Sequence, residues 1–120
     1  MKLAAVAALA TVVLLAPSSG SASRGAASRP AVTVRMGEFF FKPRVVTVHI
    51  GQAVRFVNVG KIDHTVADTD AKWNIRSKLI HPRPLAHGQV QVVTFSKAGA
   101  VPYLCTFHPT LMRGKIVVVP

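Results

Sequence analysis

Cysteine and acidic residues are scarce in this chain of 120 residues. It has a single cysteine, Cys105. One thiol cannot form an internal disulfide, so a disulfide-stapled scaffold is excluded, although small exported domains often depend on one. Only four Asp and Glu residues stand against 15 Lys and Arg, which gives a formal net charge of +11. A surface of this charge attracts anionic partners, such as an acidic protein, a membrane surface or a polyanion.

The chain also lacks the long apolar run of roughly 20 residues that a membrane-spanning helix needs. Its N-terminal apolar run, residues 3–16, is shorter, follows Lys2 and precedes small residues. This pattern predicts a secretory signal peptide over residues 1–22, with an uncleaved N-terminal anchor as the alternative. We therefore expect an exported protein that is periplasmic, extracellular or located at the cell surface.

The remainder of the chain predicts one small domain. Residues 23–30 are small, polar and basic, which is typical of a flexible leader without a core. Residues 31–120 are expected to form the folded domain, which can bury only a modest core. The basic residues of this part are scattered rather than clustered on one helix, and this argues against nucleic acid as the partner.

After residue 30 the pattern is that of short strands separated by turns, with alternating apolar residues. About seven such strands indicate an all-β sandwich or barrel. The predicted strands are 31–36, 45–50, 53–59, 64–67, 90–95, 100–105 and 115–119. Residues 68–88 show no clear period, and we expect there either one helical turn around 71–78 or none.

One short loop gathers three side chains with affinity for a soft metal. Cys105 is followed by His108 and then by Met112. A thiolate and imidazoles around one ion, with a weak and distant thioether, form the preferred environment of a blue copper ion. The loop supplies only one imidazole, so another must come from elsewhere.

The candidates for the other imidazole are the remaining four histidines, His49, His64, His81 and His87. His64 begins an extended segment that a sandwich can place beside the strand ending at Cys105, so we select it. The others are expected to be ordinary surface histidines, with an accessory metal site at His81 and His87 as the alternative. We also expect Asn58 to hydrogen-bond a loop backbone.

At this point the sequence resembles the cupredoxins, in particular the plastocyanin- and amicyanin-like electron carriers. The resemblance covers most of residues 32–120. The matching motifs are F-x-P-x-x-V-x-V-x-x-G-Q-x-V-x-F-x-N over 41–58, F-x-x-A-G-x-x-x-Y-x-C-x-x-H-P over 95–109, and M-R-G-K-I-V-V over 112–118. It implies a two-sheet Greek-key sandwich, one copper ion bound by His64, Cys105, His108 and Met112, and one-electron transfer.

Three positions depart from the family pattern. The gap between His108 and Met112 is three residues, intermediate between amicyanins and plastocyanins. Thr65 stands where an asparagine usually joins the two ligand loops, and its hydroxyl is expected to do part of that work. Asp63 stands where relatives often carry proline. A carboxylate there either favours Cu(II) and lowers the potential or is a solvated loop residue.

The resemblance predicts one function, and three alternative functions are considered beside it. We expect a monomeric carrier of single electrons, not an enzyme, with an acidic redox protein as partner and room for contact with an anionic membrane surface. The main alternative is a copper chaperone or storage protein outside the cytoplasmic membrane. A zinc site is disfavoured because a thioether is a poor zinc ligand. A catalytic Cys-His pair lacks a third group that would orient the base.

Overall fold

The computed structural model describes residues 11–12 and 29–120. The strands are β1 Val32–Gly37, β2 Phe40–Lys42, β3 Val45–His49, β4 Val54–Asn58, β5 Ala67–Asp68, β6 Val90–Val93, β7 Gly99–Leu104 and β8 Arg113–Val119. They form two four-stranded sheets, one in the order β2-β1-β4-β6 and the other in the order β3-β8-β7-β5. The predicted all-β, two-sheet architecture is confirmed. Within residues 11–12 and 29–120, no helix has the length and apolarity needed to span a membrane.

The predicted signal peptide, residues 1–22, and most of the predicted leader, 23–30, lie outside the described residues. Only residues 11–12 of the former and 29–30 of the latter are described.

The core lies between the two sheets because alternate residues of each strand point inward. Val34 of β1 and Phe56 of β4 come from one sheet, and Val48 of β3 and Ile116 of β8 come from the other. Tyr103 joins them, with its ring centroid 5.2 Å from that of Phe56. Edge-to-face aromatic contacts of this kind add to the stabilisation from apolar burial.

Each sheet contains one parallel pair that joins strands distant in sequence. β1 pairs with β4, and β3 pairs with β8. Because the partners run in the same direction, their carboxyl ends meet at one edge of the sheet. β1 and β4 thus end together, at Gly37 and Asn58, next to the segment that contains His64.

Two details differ from the sequence-based expectation. The fold has eight strands in the described residues rather than about seven, because the short β2 had no visible alternation. The extended piece predicted over 64–67 is displaced: the strand there is Ala67–Asp68, and His64 forms an isolated bridge with Leu85.

Residues 69–89 form a long connection from β5 to β6 without a helical turn, the second of the two outcomes expected for residues 68–88. Buried Asp68 organises it by accepting hydrogen bonds from the backbone N–H groups of Leu79 (3.0 Å) and Ile80 (2.8 Å). Ile80 and Leu85 are buried in the core. The connection therefore returns to the sandwich at Leu85, where it pairs with His64.

Candidate metal centre

Three of the predicted ligands converge on one point. One donor atom each from His64, Cys105 and His108 lies within 4.8 Å of the others. The Cys105 sulfur is 3.9 Å from His64 Nδ1 and 3.7 Å from His108 Nδ1. His64 and Cys105 are fully buried, whereas His108 is half-buried. Both imidazoles therefore present the same nitrogen, Nδ1, to the thiol.

Residues 105–112, called here the cysteine loop, are closed by their own backbone. The N–H of His108 donates to the Cys105 carbonyl (3.1 Å), and the N–H of Met112 donates to the His108 carbonyl (3.0 Å). The N–H of Cys105 in turn donates to the Met112 carbonyl (3.1 Å). Strands β7 and β8 pair just outside the loop, so Cys105 and Met112 face each other at its neck. The Met112 side chain is fully buried.

Residues 58–65, called here the histidine segment, are held both by contacts with distant residues and by the side chain of their own Asn58. His64 and Leu85 exchange two backbone hydrogen bonds, of 3.1 and 2.9 Å. The Asn58 amide Nδ2 donates to the carbonyls of Leu85 (2.7 Å) and Ile62 (2.8 Å), and its Oδ1 accepts from the Gly60 N–H. The prediction that Asn58 bonds a loop backbone is confirmed.

Thr65 joins the two ligand segments, as predicted. Its hydroxyl oxygen accepts a hydrogen bond from the Thr106 N–H at 2.7 Å. The Thr65 N–H points at the Cys105 sulfur at 3.4 Å, and the hydroxyl lies 3.8 Å from the same sulfur. Hydrogen bonds to a ligand thiolate reduce its electron donation and so tune the potential of a bound metal.

Sequence reasoning missed the contacts of Glu38. Its Oε1 lies 3.3 Å from His64 Nε2, the ring nitrogen that faces away from the sulfur. The same oxygen accepts hydrogen bonds from the N–H groups of Lys61 (2.6 Å) and Ile62 (3.0 Å). The bond from the Ile62 N–H is the main cause of a lowered pKa of Glu38. Asp63, the acidic residue singled out from the sequence, is exposed. The carboxylate that contacts His64 is that of Glu38.

The neighbouring residue, Phe39, was also missed, and it packs on the other imidazole. Its ring centroid lies 4.6 Å from that of His108. The only signal for either contact was the G-E-F-F-F-K run, which places an acid and aromatic residues in a turn before Pro43. Without a recognised β2, nothing located that turn beside the histidines.

Exposed apolar side chains belong to the same loop as His108 or pack on its ring. Phe107, Pro109 and Leu111 of the cysteine loop are exposed, as is Phe39. Leu111 retains 67% of its accessible surface and Phe107 retains 50%. Exposed apolar side chains concentrated at one place are characteristic of a contact surface.

Arg113 supports the cysteine loop from outside. Its Nε donates to the Pro109 carbonyl at 2.8 Å, and its guanidinium lies 4.7 Å from the centroid of the Trp73 ring. A cation over an aromatic face is an attractive contact. Trp73 therefore packs against Arg113 and supports the cysteine loop indirectly.

The remaining histidines lie elsewhere in the described part of the chain. His81 and His87 are exposed and do not belong to the converging donor group. His87 Nδ1 lies 2.8 Å from the Gly60 carbonyl, a contact that braces the histidine segment.

The donor set fits copper better than zinc. A buried thiol with two imidazoles, beside a buried methionine, combines the soft and borderline ligands that suit both Cu(I) and Cu(II). A structural zinc site would require four strong ligands. In residues 11–12 and 29–120, the donor group of His, Cys and carboxylate side chains contains only three.

Comparison with known proteins agrees with this geometry. The family model of the cupredoxin-like domain matches residues 4–118. Amicyanin from Paracoccus versutus is 32% identical over 88 residues, which make up 73% of this chain and 64% of that protein. The chain thus spans less than two thirds of the length of this relative.

Solved structures show the same architecture. The crystal structure of amicyanin from Paracoccus versutus aligns with a TM-score of 0.64 at 31% identity, covering 79% of this chain and 89% of that one. A purple cupredoxin from Nitrosopumilus maritimus aligns with a TM-score of 0.67 at 22% identity, covering 76% of this chain and 100% of that one. The latter likeness concerns the fold alone.

The fold, the His-Cys-His convergence and the family match all point the same way, and together they support one copper ion as the cofactor. The chain belongs to the cupredoxin-like domain family, and it is amicyanin-like within it.

Proposed function

We propose that this protein is an exported type 1 copper protein that carries single electrons between larger redox partners. The observation that carries the proposal is the approach of two imidazole Nδ1 atoms to one buried thiol, at 3.9 and 3.7 Å. The copper ligands in this proposal are His64, Cys105, His108 and Met112. Bound copper would supply the Cu(I)/Cu(II) couple.

The contacts of the chain suit such a role because they fix the donors independently of the metal. The cysteine loop is closed by three backbone hydrogen bonds of its own. Asn58 and Leu85 fix the histidine segment, and Thr65 joins the two. Donors held in advance need little rearrangement when the charge of the ion changes, and this favours fast electron transfer over metal delivery.

Electrons would enter and leave at His108. This imidazole is the least buried of the three converging donors, and exposed Phe107 and Leu111 flank it. An apolar rim lets a partner approach closely and excludes water from the contact.

The partner in this proposal is an acidic redox protein, and the protein acts as a monomer. Arg35 lies directly opposite Lys42 on the exposed face of the β2-β1-β4-β6 sheet, and Arg55 lies opposite Thr33 on the same face. Like charges facing each other across strands repel, so an anionic partner would relieve an existing strain. The same face would meet an anionic membrane surface favourably.

The partner proposal predicts strong salt dependence. Electron exchange with an acidic redox protein should slow markedly as ionic strength rises. The double charge reversal R35E/R55E should slow it at low salt more than K97E, which changes one charge in the β6–β7 connection. Equal rates for the wild type and both variants would exclude a contribution of this sheet face to the attraction of the partner.

The proposed export and boundaries rest on the N-terminal sequence. Secreted protein should begin at Ser23, and its intact mass would report this directly. A mass that includes residues 1–22 would favour the alternative of a retained N-terminal anchor.

Metal binding is tested by loading the protein with copper and counting bound ions by native mass spectrometry. We expect one copper per chain, lost or greatly weakened in H64A and retained in H81A, which removes an exposed histidine. A copper chaperone or store would instead prefer Cu(I), show no strong visible band and release its metal to a recipient. Full copper retention in H64A would contradict the assigned ligands.

A further inference from the structure

We propose that the β1–β2 turn, Glu38–Phe39, positions both histidines of the copper centre although it contributes no ligand. In this proposal the Glu38 carboxylate fixes His64 and lowers the reduction potential, and the Phe39 ring covers His108 and slows copper release. The inference rests on the proposed function, because it concerns the same metal centre.

The orientation of His64 carries the first part. Its Nδ1 faces the Cys105 sulfur, so Nε2 is the remote nitrogen, and Nε2 lies 3.3 Å from Glu38 Oε1. An imidazole that binds a metal through Nδ1 carries its proton on Nε2 and can donate it to the carboxylate. Such a carboxylate fixes the tautomer and the ring orientation and makes the ligating nitrogen more basic. A more basic ligand favours Cu(II) over Cu(I).

The carboxylate is itself held in place from the histidine segment. Glu38 Oε1 accepts hydrogen bonds from the N–H groups of Lys61 and Ile62, the residues just before Asp63 and His64. Its side chain is only 33% exposed, and the His64 ring is fully buried. One oxygen thus ties the backbone and the imidazole of the same segment to a turn more than twenty residues away in sequence.

The sequence around the turn makes room for this contact. A Cβ atom at Gly60 would collide with the Glu38 carboxylate, so the absence of a side chain there lets Glu38 reach the segment. At the base of the turn, Gly37 pairs with Phe40, and a Cβ atom at Gly37 would lie 2.7 Å from the Phe40 ring. Gly60 therefore permits the contact of Glu38 with the histidine segment, and Gly37 permits the packing of the Phe40 ring.

The packing of Phe39 on His108 supports the second part of the proposal, the slowing of copper release. Its ring centroid lies 4.6 Å from that of His108, and the His108 and His64 rings are 5.4 Å apart. Consecutive residues of one turn therefore contact imidazoles that belong to different ligand segments. A ring packed on the half-buried His108 restricts both its motion and the access of water.

The Glu38 role is tested by the reduction potential of E38Q, which removes the charge and keeps the shape. We expect E38Q to bind one copper and to keep its visible band, with a potential higher than that of wild type. D63N is the matched control, since it removes an exposed carboxylate adjacent to His64, and its shift should be smaller. An unchanged potential in E38Q, or shifts of equal size, would overturn this role.

A measurement on the unsubstituted protein covers the case in which E38Q does not fold. In the metal-free and Cu(I) forms, NMR of ¹⁵N-labelled histidine should show a His64 Nε2–H that exchanges slowly with water. Rapid exchange in both forms would overturn the role. The result is separate from the proposed function: a wild-type copper protein without a blue band would contradict electron carriage even if this proton were protected.

The Phe39 role is tested by the rate at which a Cu(I) chelator removes copper. F39A should lose copper several-fold faster than wild type, whereas F40A, which removes the neighbouring ring, should stay closer to wild type. Equal rates for F39A and F40A would show that Phe39 does not cover the centre.

Discussion

The two ligand segments are built in different ways. The cysteine loop closes on itself through three backbone hydrogen bonds, at the neck of the antiparallel β7–β8 pair. The histidine segment has no such backbone closure: the Asn58 side chain bonds Ile62 and Gly60 within it, and Leu85 and the Glu38 carboxylate hold His64. The cysteine loop is therefore local in sequence, whereas the histidine segment depends on two distant residues, Leu85 and Glu38, as well as on its own Asn58. Substitutions far from the metal should therefore disturb the histidine segment more than the cysteine loop.

The largest effect should follow from breaking the histidine segment at Asn58. N58A removes a buried amide, so the Ile62 carbonyl loses this donor and the Leu85 carbonyl keeps only its hydrogen bond from the His64 N–H. We expect the free energy of unfolding of the metal-free protein to fall by about 2–4 kcal/mol, measured by urea denaturation. N74A, which removes an exposed amide that bonds Asp70, should cost about 1 kcal/mol or less. Equal losses would show that the histidine segment does not depend on Asn58.

An intermediate effect should follow from separating the two ligand segments at Thr65. T65A removes the hydroxyl that accepts from the Thr106 N–H, and should lower the free energy of unfolding by about 1–2 kcal/mol. T65S keeps the hydroxyl and should recover most of that loss. Failure of the serine variant to recover would mean that the methyl group, rather than the hydrogen bond, matters at this position.

A smaller effect should follow from replacing Arg113, which contacts the cysteine loop. R113A removes both the hydrogen bond to Pro109 and the contact with Trp73. It should lower the free energy of unfolding by about 1 kcal/mol, measured by urea denaturation. K115A removes an exposed charge on the same strand and should lower the free energy of unfolding by less. Because the cysteine loop keeps its backbone closure, R113A should still bind copper. Loss of copper binding would contradict the view that this loop is self-sufficient.

The smallest effect should come from Asp70, which lies outside both segments. Hydrogen bonds from Asn74 are the main cause that lowers the pKa of Asp70 from 3.8 to about 2. A lowered pKa in the folded state means that this group stabilises the fold above pH 3.8 and that its contribution is lost as pH falls towards 2. D70N should therefore show a weaker loss of urea resistance in that pH range than wild type. Identical pH profiles would contradict the assignment.

The same contrast explains what could be read from the sequence. Most strands were predicted because their alternation is local, and C-x-x-H followed by Met112 marked the cysteine loop. β2 was missed because it has three residues and its exposed Phe40 is as apolar as its buried Phe41, so the sequence shows no apolar–polar alternation. Glu38 was missed for a related reason: its contact with His64 depends on where the β1–β2 turn lies, which spacing along the chain does not encode. Asp63 was the nearer carboxylate in sequence but is exposed in the fold.

The most direct test of the central claim is the visible absorption spectrum of the copper-loaded protein, recorded for wild type and C105S. Thiolate bonding to Cu(II) at a site with two imidazoles should give wild type an intense blue charge-transfer band, and C105S should lack it. A colourless Cu(II) wild type, or a band that survives in C105S, would contradict the assignment of an electron-carrying copper centre.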